Sequence, residues 1–203
     1  MVLLADCQSA SSTTHHTSQL TKHEKKAGHK ALLFAIIKMN VFTFMGKRET
    51  MTIIRLETNI QAPVERCFDL SLSVDLHTSS MAHTGERAVA GVTKGILECE
   101  DSVTWEAVHF GVRQRLTARI TELERPYHFV DEMVEGIFKE IRHVHEFRSQ
   151  EGGTLMLDDF HFCSPLGALG KLADWLFLER YMRHLLLLRN RYIKHMAETG
   201  EGV

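Results

Sequence analysis

Only three prolines and four cysteines occur in 203 residues, and neither set forms a recognisable pattern. Cys7, Cys67, Cys99 and Cys163 lie far apart with no C-x-x-C spacing, which excludes a zinc knuckle or a dithiol redox motif. They read as reduced, small apolar residues of a core. Long apolar runs are also missing. The longest, Ala31 to Met45, is broken by Lys38 and Asn40 and falls short of the ~20 residues that a spanning helix needs. It reads as a short amphipathic helix or a strand. No apolar stretch follows closely behind a basic start and no small-residue cleavage site is seen, so a secretory leader is not expected and a cytoplasmic location is.

A basic excess is lacking as well. The net charge of -2 comes from 24 basic and 26 acidic residues, and the first 50 positions hold seven of the basic residues against three acidic ones. The remainder carries 17 against 23, a poor balance for displacing counterions from phosphate, so no nucleic-acid partner is expected. What is present, 44% apolar and 25% charged residues, suits a globular chain with one substantial core.

Residues 1–50, rich in Ser, Thr, His and Lys near their start, read as a poorly ordered extension. At Met51 the texture changes to a strand-like alternation through Ile54, Leu56, Thr58 and Ile60. Ala62-Pro63 then opens a short, broken pair of helices running to about Met81. Six strand patterns follow: 86–90, 103–110, 113–123, 128–134, 139–148 and 154–163. From Gly170 to about Ala197 the spacing is helical, with Leu172, Trp175, Leu176, Met182, Leu185, Leu186, Ile193 and Met196 on one stripe. The expected architecture is α+β: a curved antiparallel β-sheet gripping a long C-terminal helix, over residues 51–198, with a tail at 199–203. A hollow between sheet and helix is the expected binding site.

The motifs Ile60 to Phe68, Val103-Thr104-Trp105-Glu106-Ala107, Phe129 to Met133, His143 to Phe147 and Ser164-Pro165-Leu166-Gly167 before a leucine-rich helix occur in an order that resembles the SRPBCC, or START-like, superfamily. That resemblance covers Met51 to about Glu198. It implies a helix-grip fold with a cavity for a lipid, sterol or polyketide-like molecule, and it includes members that catalyse cyclisation or dehydration. It supplies no universal catalytic residue.

Alternation on the strand 139–148 puts Ile141, His143, His145 and Phe147 on one face, which their apolar neighbours mark as inward. Pairing Arg148 with Gly153 across the turn sets His145 opposite Met156 and His143 opposite Asp158. The hairpin around Gly136 brings Asp131 near His143. A row of Asp131, His143 and Asp158 has the composition for proton transfer in enolisation or dehydration. It equally suits a satisfied polar network on a cavity wall. Trp105, His109, Phe129, Met133, His145, Phe147, Met156, Phe160, Leu176 and Met182 are the expected ligand-lining residues. His143 and His145 with an aspartate make up a two-histidine, one-carboxylate set. No rigid outer partners for those ligands are visible in sequence, so neither metal nor cofactor is expected. The expected partner is an apolar small molecule, either merely bound or cyclised and dehydrated; stable membrane insertion is not expected, and oligomeric state is left open.

Overall fold

The computed structural model describes residues 51–165, 170 and 174–200. The extension 1–50, the loop motif from Leu166 and the helical position Leu172 lie outside the described residues. The elements run β1 (Thr52–Ile60), α1 (Val64–Leu72), α2 (Val74–Ser80), a 3-10 turn (Ala82–Thr84) and β2 (Arg87–Gly91). They continue with β3 (Ser102–His109), β4 (Val112–Glu124), β5 (His128–Glu135), β6 (Glu140–Gln150) and β7 (Gly153–Cys163). A π-turn (Asp174–Leu178) leads into α3 (Glu179–Thr199). All seven strands pair antiparallel in the order β1-β7-β6-β5-β4-β3-β2. The expected α+β architecture, a curved sheet gripping a C-terminal helix with two short helices after the first strand, is what the chain adopts.

Curvature has a local cause. Register shifts in β4 between Thr117 and Ala118 and between Ile120 and Glu122, and another in β2 between Ala88 and Ala90, each bend the strand and increase its twist. The concave face takes alternate side chains: Ile141, His143, His145 and Phe147 of β6, and Thr154, Met156, Asp158, Phe160 and Phe162 of β7, are buried. Helix α1 fills one end of the concavity with Phe68, whose ring meets Phe129 and Phe147 edge-on at 5.6 and 5.4 Å.

Helix α3 turns Leu186, Arg189, Asn190, Ile193 and Ala197 inward, a stripe at helical spacing. Its end is fastened by Arg66, which donates to the carbonyls of Met196 and Ala197 at 2.9 and 3.0 Å and so satisfies groups that the last helical turn leaves without partners. Trp175 and Leu176, which periodicity places on the apolar stripe, are 74% and 53% exposed. They belong to the π-turn rather than to α3, and the wider turn rotates them off the buried face. Cys67 and Cys163 are buried as expected, whereas Cys99 is exposed in the connection between β2 and β3.

The β6–β7 register differs by two residues from the one inferred above. Gln150 pairs with Gly153 and Arg148 with Leu155, because β6 runs on to a two-residue turn in which Gly152 takes φ 82°. His145 therefore stands opposite Asp158, and His143 opposite Phe160. A two-residue shift keeps every side chain on its own face, so the inward set is unchanged. Asp131 does pair with His143 across β5 and β6.

Candidate functional site

Among the described residues, two hollows lie between the concave face and the helices. The larger, about 360 Å³, is bounded by β3, β4, β6, β7 and α3 and has a chiefly apolar wall that includes Trp105, Ile141, Phe160, Met182 and Leu186. The smaller, about 110 Å³, reaches deeper towards α1 and the centre of the sheet and contains Asp131, His143 and His145 in its wall. His77, Trp105, Leu186 and Arg189 belong to both walls, so these four residues form the partition between an outer greasy chamber and an inner polar one.

The inner chamber is built by strand alternation. His143 and His145 are two residues apart on β6, with ring centroids 3.7 Å apart. Asp131 on β5 and Asp158 on β7 flank them. His143 Nε2 lies 2.9 Å from Asp158 Oδ1, and its Nδ1 lies 3.8 Å from Asp131 Oδ2. His145 Nε2 lies 3.0 Å from Asp131 Oδ2. Its Nδ1 stands 3.1 Å from Asp158 Oδ1 but off the line of a good hydrogen bond, leaving that buried nitrogen without a hydrogen-bond partner. Each imidazole thus lies between the two carboxylates and is hydrogen-bonded to one of them.

The surroundings set the charge of this group. Burial, followed by repulsion from His145, pushes His143 down to about 4, so it is neutral at neutral pH. Burial works against ionisation of Asp158, yet contacts with His143 and His145 outweigh it and hold the carboxyl well below its ordinary range. Burial also opposes Asp131, and the contact with His145 outweighs it there, so that group too is lowered. Asn190 donates to Asp158 Oδ2 at 2.6 Å. Arg189 Nη2 donates to the Ser71 carbonyl at 3.1 Å, while Nη1 has no hydrogen-bond partner and lies 3.7 Å from Asp158 Oδ1.

The outer chamber has its own polar groups. His77 Nε2 and Glu86 Oε1 are 2.9 Å apart, with the His77 ring stacked on Trp105 at 4.2 Å. Burial pushes Glu86 up, but His77 more than offsets this and keeps it ionised. His109 Nδ1 and the Tyr181 hydroxyl are 2.7 Å apart, and burial lowers His109. Phe110 packs on Tyr181 at 4.6 Å and on Phe177 at 5.7 Å. Both Phe110 and Phe177 are exposed, as is Ile137, another residue of this wall.

Of the residues singled out from sequence, Trp105, His109, Phe160 and Met182 line the outer chamber, and Asp131, Phe129, His143 and His145 line the inner one. Asp158 sits behind the rings and is fully buried. Phe147 and Met156 are solid core, Met133 packs against the apolar cluster of Ile141, Phe160 and Leu186, and Leu176 faces solvent. His77, Glu86 and Arg189 were not legible. His77 and Glu86 lie on α2 and just before β2, where no periodic signal distinguishes them. Arg189 follows four leucines, and its position three residues after Leu186 places it on the buried stripe.

No family model and no curated protein matches the chain. Solved structures do match. A protein from Thermus thermophilus is 19% identical with a TM-score of 0.57, the match covering 72% of this chain and 100% of that one. A Staphylococcus aureus protein of unknown function is 14% identical with a TM-score of 0.59, covering 75% and 97%. Major latex-like protein 151 from Panax ginseng is 15% identical with a TM-score of 0.53, covering 72% and 97%. At such identities the likeness shows the helix-grip fold alone, and function has to be argued from the site. Among the described residues no helix is long and apolar enough to cross a membrane.

Proposed function

We propose that residues 51–198 form a binding unit for an apolar small molecule of lipid, sterol or polyketide-like class, seated between the sheet and α3. The observation that carries this is the outer chamber of about 360 Å³, mainly apolar, with polar groups gathered at His77, Glu86, His109 and Tyr181. A close-packed interior does not keep such a space without cost, since voids forfeit dispersion contacts. Burying an apolar ligand there gains about 25 cal/mol per Å² of surface removed from water. The few polar groups fix orientation, as is usual in small-molecule sites.

The test is displacement of an environment-sensitive apolar fluorophore from purified protein, with native mass spectrometry of the same sample for co-purified ligand. Saturable binding at one site, competed by a fatty acid or sterol, is expected. A folded protein that neither takes up the fluorophore nor carries a ligand overturns the reading.

A second reading is acid–base catalysis, cyclisation or dehydration, by the row Asp131, His143 and Asp158. Its support is that His143 has a carboxylate near each nitrogen at the wall of a chamber. A nitrogen whose pKa is near 4 is a weak proton acceptor at neutral pH, which is why binding is placed first. Turnover of a polyketide-like substrate, abolished in His143→Asn with folding intact, is the result that favours catalysis.

A further inference from the structure

Asp131, His143 and His145 hold potential ligand atoms within 4.8 Å of one another on the wall of the inner chamber. We propose that they form a metal site, in which a divalent first-row transition ion is bound by Asp131 Oδ2, His143 Nδ1 and His145 Nε2, with Asp158 holding the two imidazoles from behind.

The first argument is a count of protons. A neutral imidazole has a single N–H, yet each ring stands between two carboxylate oxygens, giving four close N···O approaches at 2.9, 3.0, 3.1 and 3.8 Å. If each ring carries a single N–H, only two of them are satisfied. The other two set a nitrogen lone pair against a carboxylate oxygen, and the buried His145 Nδ1 without a hydrogen-bond partner is where the shortage shows. Placing the ring protons on the Asp158 side gives Asp158 Oδ1 the His143 Nε2–H as a donor at 2.9 Å and turns His145 Nδ1–H towards it at 3.1 Å, off the line of a good hydrogen bond. Two nitrogen lone pairs and a carboxylate oxygen then converge on the Asp131 side. A cation at that point gives both lone pairs and the Asp131 carboxylate a common partner.

Distances and support agree with this arrangement. Ligand atoms about 2.1 Å from a common ion lie roughly 3 to 4 Å apart, and Asp131 Oδ2 is 3.0 Å from His145 Nε2 and 3.8 Å from His143 Nδ1. Metal-bound imidazoles characteristically give their rear N–H to a carboxylate, which fixes the tautomer and strengthens the ligand. Asp158 stands in that place for both rings and is itself anchored by Asn190. The charge is suitable too: two ionised carboxylates face one guanidinium, Arg189, so the group has an excess negative charge that a divalent ion offsets. Two histidines with one carboxylate select zinc or another late first-row ion over calcium or magnesium. The chamber in front of Asp131 gives room for an exchangeable position. Elsewhere among the described residues, histidine–carboxylate contacts such as His161–Asp159 and His128–Glu122 each involve one histidine, on a carboxylate that also pairs with an arginine, Arg55 or Arg142.

The test uses the full chain, stripped with a chelator, and compares wild type with Asp131→Asn. Co²⁺ is added with absorption spectroscopy, and Zn²⁺ is used to displace it. Wild type should bind one equivalent with a visible ligand-field band, displaced by Zn²⁺, that the variant lacks or binds at least ~10-fold more weakly. Other histidines, including those before Met51, contribute equally to both proteins. Equal uptake by wild type and a folded variant overturns the proposal. Should Asp131→Asn not fold, ¹⁵N-histidine NMR of wild type decides: ring resonances of His143 and His145 should move together with one equivalent of Zn²⁺, and rings that stay put refute the site. This outcome is independent of whether the outer chamber takes an apolar molecule.

Discussion

Asn190 donates a hydrogen bond of 2.6 Å to Asp158, joining the buried stripe of the long helix to the concave face of β7, the strand next to the sheet edge. The same amide reaches Thr58 Oγ1 on the edge strand at 3.3 Å. Helix and sheet are thus held in place by a charged, fully enclosed carboxylate as well as by apolar packing. A neutral donor to such a group stabilises by about 1.5–3 kcal/mol. Asn190→Ala should lose about that much in urea unfolding, and Asn190→Asp more, because it sets a second carboxylate against Asp158. An Asn190→Asp protein as stable as wild type at neutral pH would show that Asp158 is not ionised.

Met182 lines the outer chamber from α3 and is only partly buried, so it has room to grow inward. Met182→Trp should occupy part of the 360 Å³ without disturbing the core and should weaken binding of an apolar fluorophore by at least tenfold, about 1.4 kcal/mol. Thermal unfolding should change little. Undiminished affinity places the fluorophore elsewhere, on the exposed Trp175 and Phe177 for example.

Much of the architecture is written in short-range patterns. The period-two alternation of β6 and β7 identifies their inward residues, and that reading survives a two-residue error in register because the pleat has the same period. The register itself depended on turn length, which Gly152-Gly153 leaves open until the backbone shows where φ turns positive. The Asp131–His143 pairing was legible because both lie on adjacent strands. Joining Arg189 and Asn190 to the same cluster takes the docking angle of a helix whose Asn190 is 32 residues beyond Asp158, which no local pattern specifies. The same holds for His77 and Glu86, brought together by the path of the chain between α2 and β2. Trp175 and Leu176 show the reverse: a periodic stripe extrapolated through a π-turn puts side chains on the wrong face.

Glu106 on β3 lies on the convex face beneath three arginines: Arg87 Nη2 at 2.6 Å, Arg115 Nη2 at 2.9 Å and Arg113 Nη1 at 3.5 Å. Hydrogen bonds from Arg87 and then Arg115 hold its carboxyl below its ordinary value of 4.5. A carboxyl lowered in the folded state contributes stability that is complete above its unfolded value and is lost as pH falls through the folded one. Glu106→Gln should therefore be less stable than wild type at neutral pH, and the gap should narrow as pH falls below the ordinary value of 4.5 and close once pH passes below the lowered folded one. Because the three arginines are largely exposed, salt should shrink the gap at neutral pH as well. Parallel acid-unfolding curves for the two proteins would dismiss the interaction.

The cysteines give a check on packing that needs no ligand. Cys67 lies on α1, wholly buried, with a thiol that burial pushes above its ordinary range, so the reactive thiolate is doubly disfavoured there. Cys99 is exposed. Peptide mapping after brief alkylation of the native protein should find Cys99 modified and Cys67 untouched, with Cys67 labelled only once denaturant is added. Because Cys67 shares its apolar cluster with Phe68, Phe129 and Phe147, its protection reports on the seat of α1 in the sheet. Replacing Phe68 by Ala should cost about 3–5 kcal/mol and let Cys67 react. Native labelling of Cys67 in the unaltered protein would mean that α1 leaves the concavity readily, and the inner chamber beside it would then be open to water.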